Sequence, residues 1–174
     1  MNILFLDFDG VLNSSIGFER DKPRTAFYFA PECVENLKTV LDALPELKIV
    51  VSSAWRECAS MSKLRRIFRK YGLPGGRIVG ITPTALSDYM RGHEIQSWLD
   101  SQPPGRVERF IILDDDSDMA DLMPYLVQTK DETGFTRKNA EEVICRLSPR
   151  LRLGRSWRPK RRGAGTVPIP GMNL

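Results

Sequence analysis

Two short apolar runs in this chain each end abruptly in a group of aspartates. The first run, residues 3–6, is followed by Asp7 and Asp9, and the second, residues 110–113, is followed by the three aspartates at 114–116. Short apolar runs of this kind predict buried strands. Carboxylates that are crowded together repel one another and are costly to remove from water. The pattern therefore predicts a sheet whose strand ends gather acids around a cation.

Strand and helix patterns alternate along the chain as far as residue 147. The predicted strands span residues 2–6, 47–53, 77–81, 108–116 and 125–129, and the predicted helices span residues 30–44, 60–72, 92–101 and 137–147. Such alternation is typical of a parallel sheet that is covered by helices on both faces. We therefore expect an α/β fold, a Rossmann-like three-layer sandwich with a mainly parallel central sheet, formed by residues 1–148 as one domain.

The polar residues that end the predicted strands should meet at one edge of the sheet. In parallel α/β sheets, ligands bind beyond the carboxyl ends of the strands. Ser52 and Ser53 follow the strand at 47–53, between the two acidic strand ends along the chain. Hard oxygen ligands suit Mg²⁺, which is held by one or two carboxylates together with waters and a substrate phosphate. The sequence thus predicts a Mg²⁺ site at this edge.

Four segments resemble the motifs of the haloacid dehalogenase-like (HAD) superfamily. "LFLDFDGVLNS" resembles the first motif, "KIVVSSAWR" the second, a strand that ends in Ser or Thr, and "FIILDDD" the fourth, a strand that ends in paired acids. Arg91 stands where the third motif has a Lys or Arg. The segments "SSAWR", "RGHEIQSWL", "ILDDDSDM" and "LVQTKDETGFT" are more narrowly similar to small domains associated with RNA-repair proteins.

The resemblance implies roles for the acids in phosphate-monoester hydrolysis. Asp7 would attack phosphorus to form an aspartyl-phosphate. Asp9 would protonate the leaving oxygen and then activate water. Mg²⁺ would be held by Asp7, by the backbone carbonyl of Asp9, and by Asp114 or Asp115. The same segment contains two further acids that are weaker candidates, Asp116 and Asp118.

The resemblance also implies which residues bind the phosphoryl group. Ser52 would donate its hydroxyl to the phosphoryl oxygens and Arg91 would offset their charge. Ser53 would offer a backbone N–H, although either serine could supply the hydroxyl. Gly10, in the turn of the first motif, is a further candidate for substrate binding. Arg56 is either a phosphate contact or a surface salt-bridge residue.

The gaps between the motifs are too short for a full cap domain. Residues 12–45 hold one predicted helix and a short aromatic segment, and residues 56–89 hold one helix and one strand. By analogy with the fold, an uncapped site favours a phosphate at the end of a large molecule over a small metabolite. A nucleoside monophosphate is an alternative substrate, with the aromatic segment at 25–31 facing its base, but we expect that segment to be a hairpin at the core edge.

The charge of the chain is distributed unevenly. The formal net charge is +4, yet residues 143–174 carry eight basic side chains and no acid, so the rest of the chain is mildly acidic. Residues 149–174 are rich in Pro, Gly and Arg and lack periodicity, which predicts a flexible basic tail. The tail could hold a nucleic acid near the open site, or it could serve solubility alone.

We expect neither a membrane-spanning helix nor a secretory signal in this sequence. No apolar run approaches the length of about 20 residues that spans a membrane. The N-terminal apolar run has no basic segment before it, which is unlike a secretory signal. Three well-separated cysteines suit a reducing compartment, so we expect a cytoplasmic protein. Cys33 and Cys145 are expected to be buried.

The sequence therefore predicts a Mg²⁺-dependent HAD-type phosphatase that works through an aspartyl-phosphate on nucleic-acid ends or nucleotides. One alternative is a phosphoprotein phosphatase. The other is a non-catalytic module that binds nucleic acid through the basic tail.

Overall fold

The computed structural model describes residues 1–84 and 90–148. The predicted basic tail, residues 149–174, lies outside the described residues. The strands are β1 (Asn2–Leu6), β2 (Lys48–Val51), β3 (Ile78–Ile81), β4 (Arg109–Asp114) and β5 (Leu126–Gln128). The helices are α1 (Ser15–Asp21), α2 (Pro31–Ala43), α3 (Trp55–Cys58), α4 (Met61–Lys70), α5 (Arg91–Asp100) and α6 (Arg137–Leu147), with short 3₁₀ turns at Gly75–Arg77 and Ala120–Tyr125.

The five strands form one sheet in the order β3-β2-β1-β4-β5. Every neighbouring pair is parallel. In the centre, Leu6 of β1 lies opposite Val51 of β2 on one side and Leu113 of β4 on the other. The three strands therefore end side by side at the same edge of the sheet.

The side chains of β1 alternate between two apolar layers, as the two-residue period of a strand requires. Leu4 and Leu6 pack into the larger layer with α2, α4 and α6. Ile3 and Phe5 pack into the smaller layer with α5. All four side chains are fully buried. The predicted α/β three-layer sandwich with a parallel sheet is thus confirmed.

Two helices were not predicted from the sequence. In α1, the apolar Ile16 and Phe18 are exposed, at 57% and 47%, so the helix lacks the apolar stripe that reveals a packed helix. Helix α3 has four residues, which are too few to show a helical period.

Two predicted strands were also too long. Residues 47–53 and 108–116 leave the sheet at Val51 and Asp114, where the backbone turns into the loops of the site.

The segments between the strands are small. In residues 1–84 and 90–148 they hold the helices and 3₁₀ turns named above. Residues 25–30 contain no strand, so the predicted hairpin is wrong. The segment does lie at the edge of the core, because Tyr28 and Phe29 are buried and Phe27 is half-buried.

None of the helices in the described ranges has the length and apolar character that crossing a membrane requires. The three cysteines are unpaired. Cys33 is buried, as predicted, but Cys145 is exposed. That prediction is wrong because Cys145 lies on the solvent side of α6, whose buried residues are Ala140, Val143 and Leu147.

Candidate active site

Three carboxylates meet at the carboxyl ends of β1 and β4. One oxygen from each of Asp7, Asp114 and Asp115 lies within 4.8 Å of the other two. Asp7 and Asp114 are buried and Asp115 is half-buried. Since Leu6 and Leu113 are paired in register, the residues that follow them are brought side by side. The sequence-predicted acids of the first and fourth motifs therefore form one cluster.

Burial and mutual repulsion alter the acidity of these carboxyls. Burial, and then the neighbouring Asp7 carboxylate, raises the pKa of Asp114 to about 8. Burial is also the main reason that the pKa of Asp115 is raised to about 6. The pKa of Asp7 is raised by burial, although Arg91 opposes this change. Carboxylates this close together repel one another when all are charged, and a bound divalent cation offsets that repulsion. These residues therefore fit a hard metal ion.

The guanidinium of Arg91 bridges two of the carboxylates. Its Nη1 lies 3.1 Å from Oδ1 of Asp7, and its Nε lies 3.3 Å from Oδ2 of Asp114. Nη1 also donates to the carbonyl of Ser52 at 2.9 Å. Burial works against the charge of Arg91, but Asp7 and Asp114 raise its pKa above the ordinary value. The predicted third-motif cation is thus part of the site.

The start of α5 is held against the loop that follows β4. The backbone N–H groups of Arg91 and Gly92 donate to Asp118, the first to its side chain at 3.0 Å and the second to its carbonyl at 3.1 Å. A Cβ on Gly92 would lie 2.3 Å from the carbonyl oxygen of Met119, so only glycine permits this approach. Asp118 lies outside the three-carboxylate cluster and positions Arg91. The side chain of Asp116 is exposed.

Asp9 is exposed, and its side chain lies outside the cluster. Its carboxylate accepts a hydrogen bond from Nε1 of Trp55 at 2.9 Å and one from Nδ2 of Asn13 at 2.7 Å. Trp55 also stacks on Phe29 in the core. Its contact with Asp9 was not foreseen, and neither was that of Asn13. The contact of Asn13 could have been expected from its position, four residues after Asp9 and just beyond the tight turn.

Gly10 occupies a position that other residues would strain. Its φ is +64°, and a Cβ would lie 2.3 Å from Cγ of Asp115. The Gly10 carbonyl accepts a hydrogen bond from the Thr129 hydroxyl at 2.8 Å, while the Thr129 N–H donates to the Asp114 carbonyl at 2.9 Å. Thr129 thus ties the first and fourth motifs together. Sequence reasoning missed it, and its place at the end of a predicted strand was the available signal.

The two serines of the second motif have different surroundings. The hydroxyl of Ser53 accepts from the backbone N–H of Trp55 at 3.3 Å, and hydrogen bonding by the Ser53 side chain opposes the rise in the pKa of Asp7. The hydroxyl of Ser52 is buried and has no hydrogen-bond partner in the described part of the chain. Ser52 instead accepts at its carbonyl from both Arg56 and Arg91. Ser53 is therefore the serine whose hydroxyl contacts the predicted nucleophile.

Arg56 lies in a buried ion pair. Its Nη2 is 2.5 Å from Oε2 of Glu94, and the two side chains are 5% and 10% exposed. Its Nη1 donates to the Ser52 carbonyl at 2.5 Å. One of our alternatives was a surface salt bridge, and the ion pair does exist, but it is buried. This pair joins the second motif to α5, the helix that carries Arg91.

A parallel sheet that ends in three clustered carboxylates, two of them bridged by an arginine, fits a HAD-like domain. The model of the family described as "HAD domain in Swiss Army Knife RNA repair proteins" matches residues 3–140. The chain belongs to this family. Membership indicates a phosphatase-type hydrolase in general, and the aspartate cluster could hold a metal.

Further comparisons add little. None of the curated proteins matches the chain. Among solved structures, the chain is similar to DsGPDH of Dunaliella salina, with 17% identity and a TM-score of 0.36. The similarity covers 75% of this chain but 22% of that one, so the chain spans less than a quarter of that protein.

Proposed function

We propose that the protein is a Mg²⁺-dependent phosphomonoester hydrolase that works through an aspartyl-phosphate on Asp7. The observation that carries this proposal is the contact between Asp7 and the Arg91 guanidinium within the Asp7–Asp114–Asp115 cluster. A nucleophilic carboxylate beside a fixed cation and further metal-binding oxygens is the set of groups that phosphoryl transfer requires, because its catalysis is mostly positioning and electrostatics.

In the proposed reaction, a carboxylate oxygen of Asp7 forms a bond to phosphorus and the ester P–O bond breaks. Asp9 gives its proton to the leaving oxygen. Water then attacks phosphorus, Asp9 takes a proton from that water, and the bond to Asp7 breaks to release phosphate. Ser53 orients the Asp7 carboxylate through its hydroxyl, and Arg91 offsets the charge of the phosphoryl oxygens.

Asp7, the backbone carbonyl of Asp9, Asp114 and Asp115 would hold the Mg²⁺. When bound, the ion supplies positive charge that stabilises the phosphoryl oxygens.

The remaining proposed substrate contacts differ in their support. Substrate binding at Gly10 stays a prediction, because the Asp115 carboxylate fills the space beside its Cα. Hydrogen bonding of the phosphate by the Ser52 hydroxyl stays a prediction, and the contact of Ser53 with Asp7 favours Ser53 for that role. A phosphate contact by Arg56 also stays a prediction, because Glu94 and Ser52 already engage its guanidinium.

We further propose that the substrate is a nucleic-acid end or a nucleotide. The family description refers to RNA repair, and the described segments around the site are short. The basic residues of the tail would add attraction for a polyanion. A cytoplasmic location, predicted from the cysteine content, remains part of this proposal.

Turnover of a small aryl phosphate with and without Mg²⁺ tests the enzymatic proposal. The wild-type protein should require the metal, and Asp7→Asn should abolish turnover and covalent phosphorylation while it remains folded by circular dichroism. Near-normal kcat in Asp7→Asn would overturn the mechanism. A panel of phosphorylated oligonucleotides, nucleotides and phosphopeptides then tests the substrate. A clear preference for phosphopeptides would favour the phosphoprotein phosphatase alternative.

A further inference from the structure

Helix α4 presents a basic surface to solvent. Its apolar residues face the core, and its sequence contains five cations and no acid. Arg65 donates to the backbone carbonyl of Ile78, which leaves four others: Lys63, Arg66, Arg69 and Lys70. None of the four takes part in an ion pair within residues 1–84 and 90–148. Lys63, Arg66 and Lys70 are separated by three and four positions, so they lie along one stripe of the helix. We call these three residues the basic stripe.

Helix stability accounts for only part of this arrangement. Arg69 and Lys70 lie in the last turn of α4, where positive charge is favourable to the helix dipole. Lys63 lies in the first turn, where a positive charge opposes that dipole. The placement of Lys63 therefore calls for another explanation.

The stripe begins next to the proposed active site. The Nζ of Lys63 lies over the ring of Phe27, 4.2 Å from its centroid. Phe27 packs edge-to-face against Trp55, with 5.0 Å between the ring centroids. Trp55 in turn donates to the carboxylate of Asp9. Three successive contacts thus connect the first cation of the stripe to Asp9.

The basic stripe begins on the same side of the site as Asp9, where the leaving oxygen of the substrate would lie. This step rests on the proposed function, in which Asp9 protonates the leaving oxygen. For a phosphorylated polynucleotide, the leaving oxygen belongs to the nucleic acid itself. The strand must therefore pass Asp9 and continue over the neighbouring surface. Phe27 and Lys63 lie on that surface, and the buried Trp55 connects them to Asp9.

We propose that Phe27 and the basic stripe bind the single-stranded end of a phosphorylated polynucleotide. A base stacks on the half-buried Phe27 ring, and successive backbone phosphates lie against Lys63, Arg66 and Lys70. Single strands are held in this way, by aromatic stacking together with cations that follow the backbone. The stripe is about 10 Å long, from seven residues of helical rise, so it fits a strand end of a few nucleotides.

The test compares two double variants that remove equal charge. Lys63→Gln/Arg66→Gln alters the stripe, and Arg106→Gln/Lys138→Gln removes two exposed cations elsewhere. Binding of a phosphorylated single-stranded RNA is measured by fluorescence anisotropy against salt concentration. The full chain is used, with Asp7→Asn added to prevent turnover, so the tail is present in every protein. Removing two phosphate contacts should make the slope of log affinity against log salt shallower by about 1.4, and the control should keep the original slope.

A third variant tests the stacking platform. Phe27→Leu keeps an apolar side chain against Trp55 but removes the flat ring. It should weaken RNA binding by about 5- to 150-fold, which corresponds to the loss of one base–aromatic stack. The slope against salt should remain that of the parent protein, because no cation is lost.

Kinetics separate this proposal from the proposed function. In the active protein, Lys63→Gln/Arg66→Gln should raise KM for the phosphorylated RNA relative to the control double variant. An unchanged salt slope, or an equal rise in KM for a phosphopeptide, would overturn the polynucleotide stripe. Absence of aryl phosphate turnover in the wild-type protein would overturn the proposed function alone, since the anisotropy comparison does not depend on catalysis.

Discussion

The indole nitrogen of Trp55 donates to the carboxylate of Asp9, at 2.9 Å from one oxygen and 3.2 Å from the other. The same indole is stacked on Phe29, with the ring planes at 8° and the centroids 5.4 Å apart. Core packing therefore fixes the donor that orients an exposed carboxylate. If Asp9 is the general acid, the orientation of its carboxylate depends on a tryptophan that belongs to the core.

We predict that Trp55→Phe will slow turnover with a small effect on the fold. Phenylalanine keeps the aromatic packing but has no N–H, so Asp9 loses a charge-assisted hydrogen bond worth about 1.5–3 kcal/mol. If the whole bond acts in the transition state, kcat on an aryl phosphate falls by about 10- to 150-fold. Trp98→Phe is the matched control, because Trp98 packs against Phe5 on the other face of the sheet. Equal losses in the two variants would contradict a positioning role for Trp55.

Mg²⁺ should stabilise the folded protein through the clustered aspartates. A ligand that binds only the folded state at about 100 times its Kd adds about 2.7 kcal/mol to the free energy of unfolding. We predict that Mg²⁺ raises Tm in the wild-type protein and that Asp114→Asn and Asp115→Asn each reduce this rise, the closer ligand by more. Thermal melts over a Mg²⁺ series measure the effect.

Asp9→Asn is the control for the metal experiment. It should keep the Mg²⁺-dependent rise in Tm, since its backbone carbonyl remains, yet lose about 10²- to 10⁴-fold in kcat through the missing acid. If all three substitutions weakened the response to Mg²⁺ equally, the proposed division between metal ligands and acid would be wrong.

The metal-free protein should lose stability as pH rises. Burial raises the pKa of Asp114 to about 8 and that of Asp115 to about 6, from an ordinary value of 3.8. Between about pH 4 and pH 8 the folded protein binds more protons than the unfolded chain. The free energy of unfolding therefore falls as the pH increases over this range. Urea unfolding at a series of pH values in a chelator measures the slope.

The same series in two variants isolates the origin of that slope. Asp114→Asn should flatten the dependence in the upper part of the range, because its amide does not titrate. Asp42→Asn, at an exposed position on α2, should leave the slope unchanged. A wild-type slope in Asp114→Asn would show that its carboxyl is not the group responsible.

Gly10→Ala should impair metal binding beyond its cost in stability. A left-handed conformation costs a residue with a Cβ about 1–2 kcal/mol. At Gly10 the added Cβ would also lie 2.3 Å from Cγ of Asp115, so that carboxylate must move. Gly105→Ala is the control, since Gly105 has a φ of +76° and no heavy atom within 4 Å of the added Cβ. Both variants should lose similar stability in urea, but only Gly10→Ala should lose the rise in Tm with Mg²⁺.

The carboxylate cluster could be predicted because two simple patterns coincide in this chain. Apolar runs that end in acids indicate where strands leave the core, and parallel strands bring those ends to one edge. The contact between Asp7 and Asp114 follows from this reasoning without any knowledge of side-chain direction. The arginine at the start of α5 could be placed only through its resemblance to the third motif, since its spacing alone does not bring it to this edge.

Other parts of the site depend on geometry that spacing does not reveal. The apolar run of β2 ends at Val51, but which of the next two hydroxyls faces Asp7 depends on how the backbone turns after the strand. The contacts of Trp55 with Asp9 and of Thr129 with Gly10 join residues 46 and 119 positions apart. Such pairs are brought together by the completed sheet, and neither residue type is distinctive on its own.

The bond between Thr129 and Gly10 also has a consequence during synthesis of the protein. β1 is the first strand of this domain to be made and is apolar on both faces, yet its partner β4 and the residue that secures its following turn come much later. At about 5–20 residues per second, the ribosome needs roughly 6–24 s to translate the 119 positions that separate them. Throughout that interval the turn after β1 lacks the residue that secures it, although β2 can already pair with the strand. The domain should therefore gain activity only when β5 and the threonine that follows it have been released.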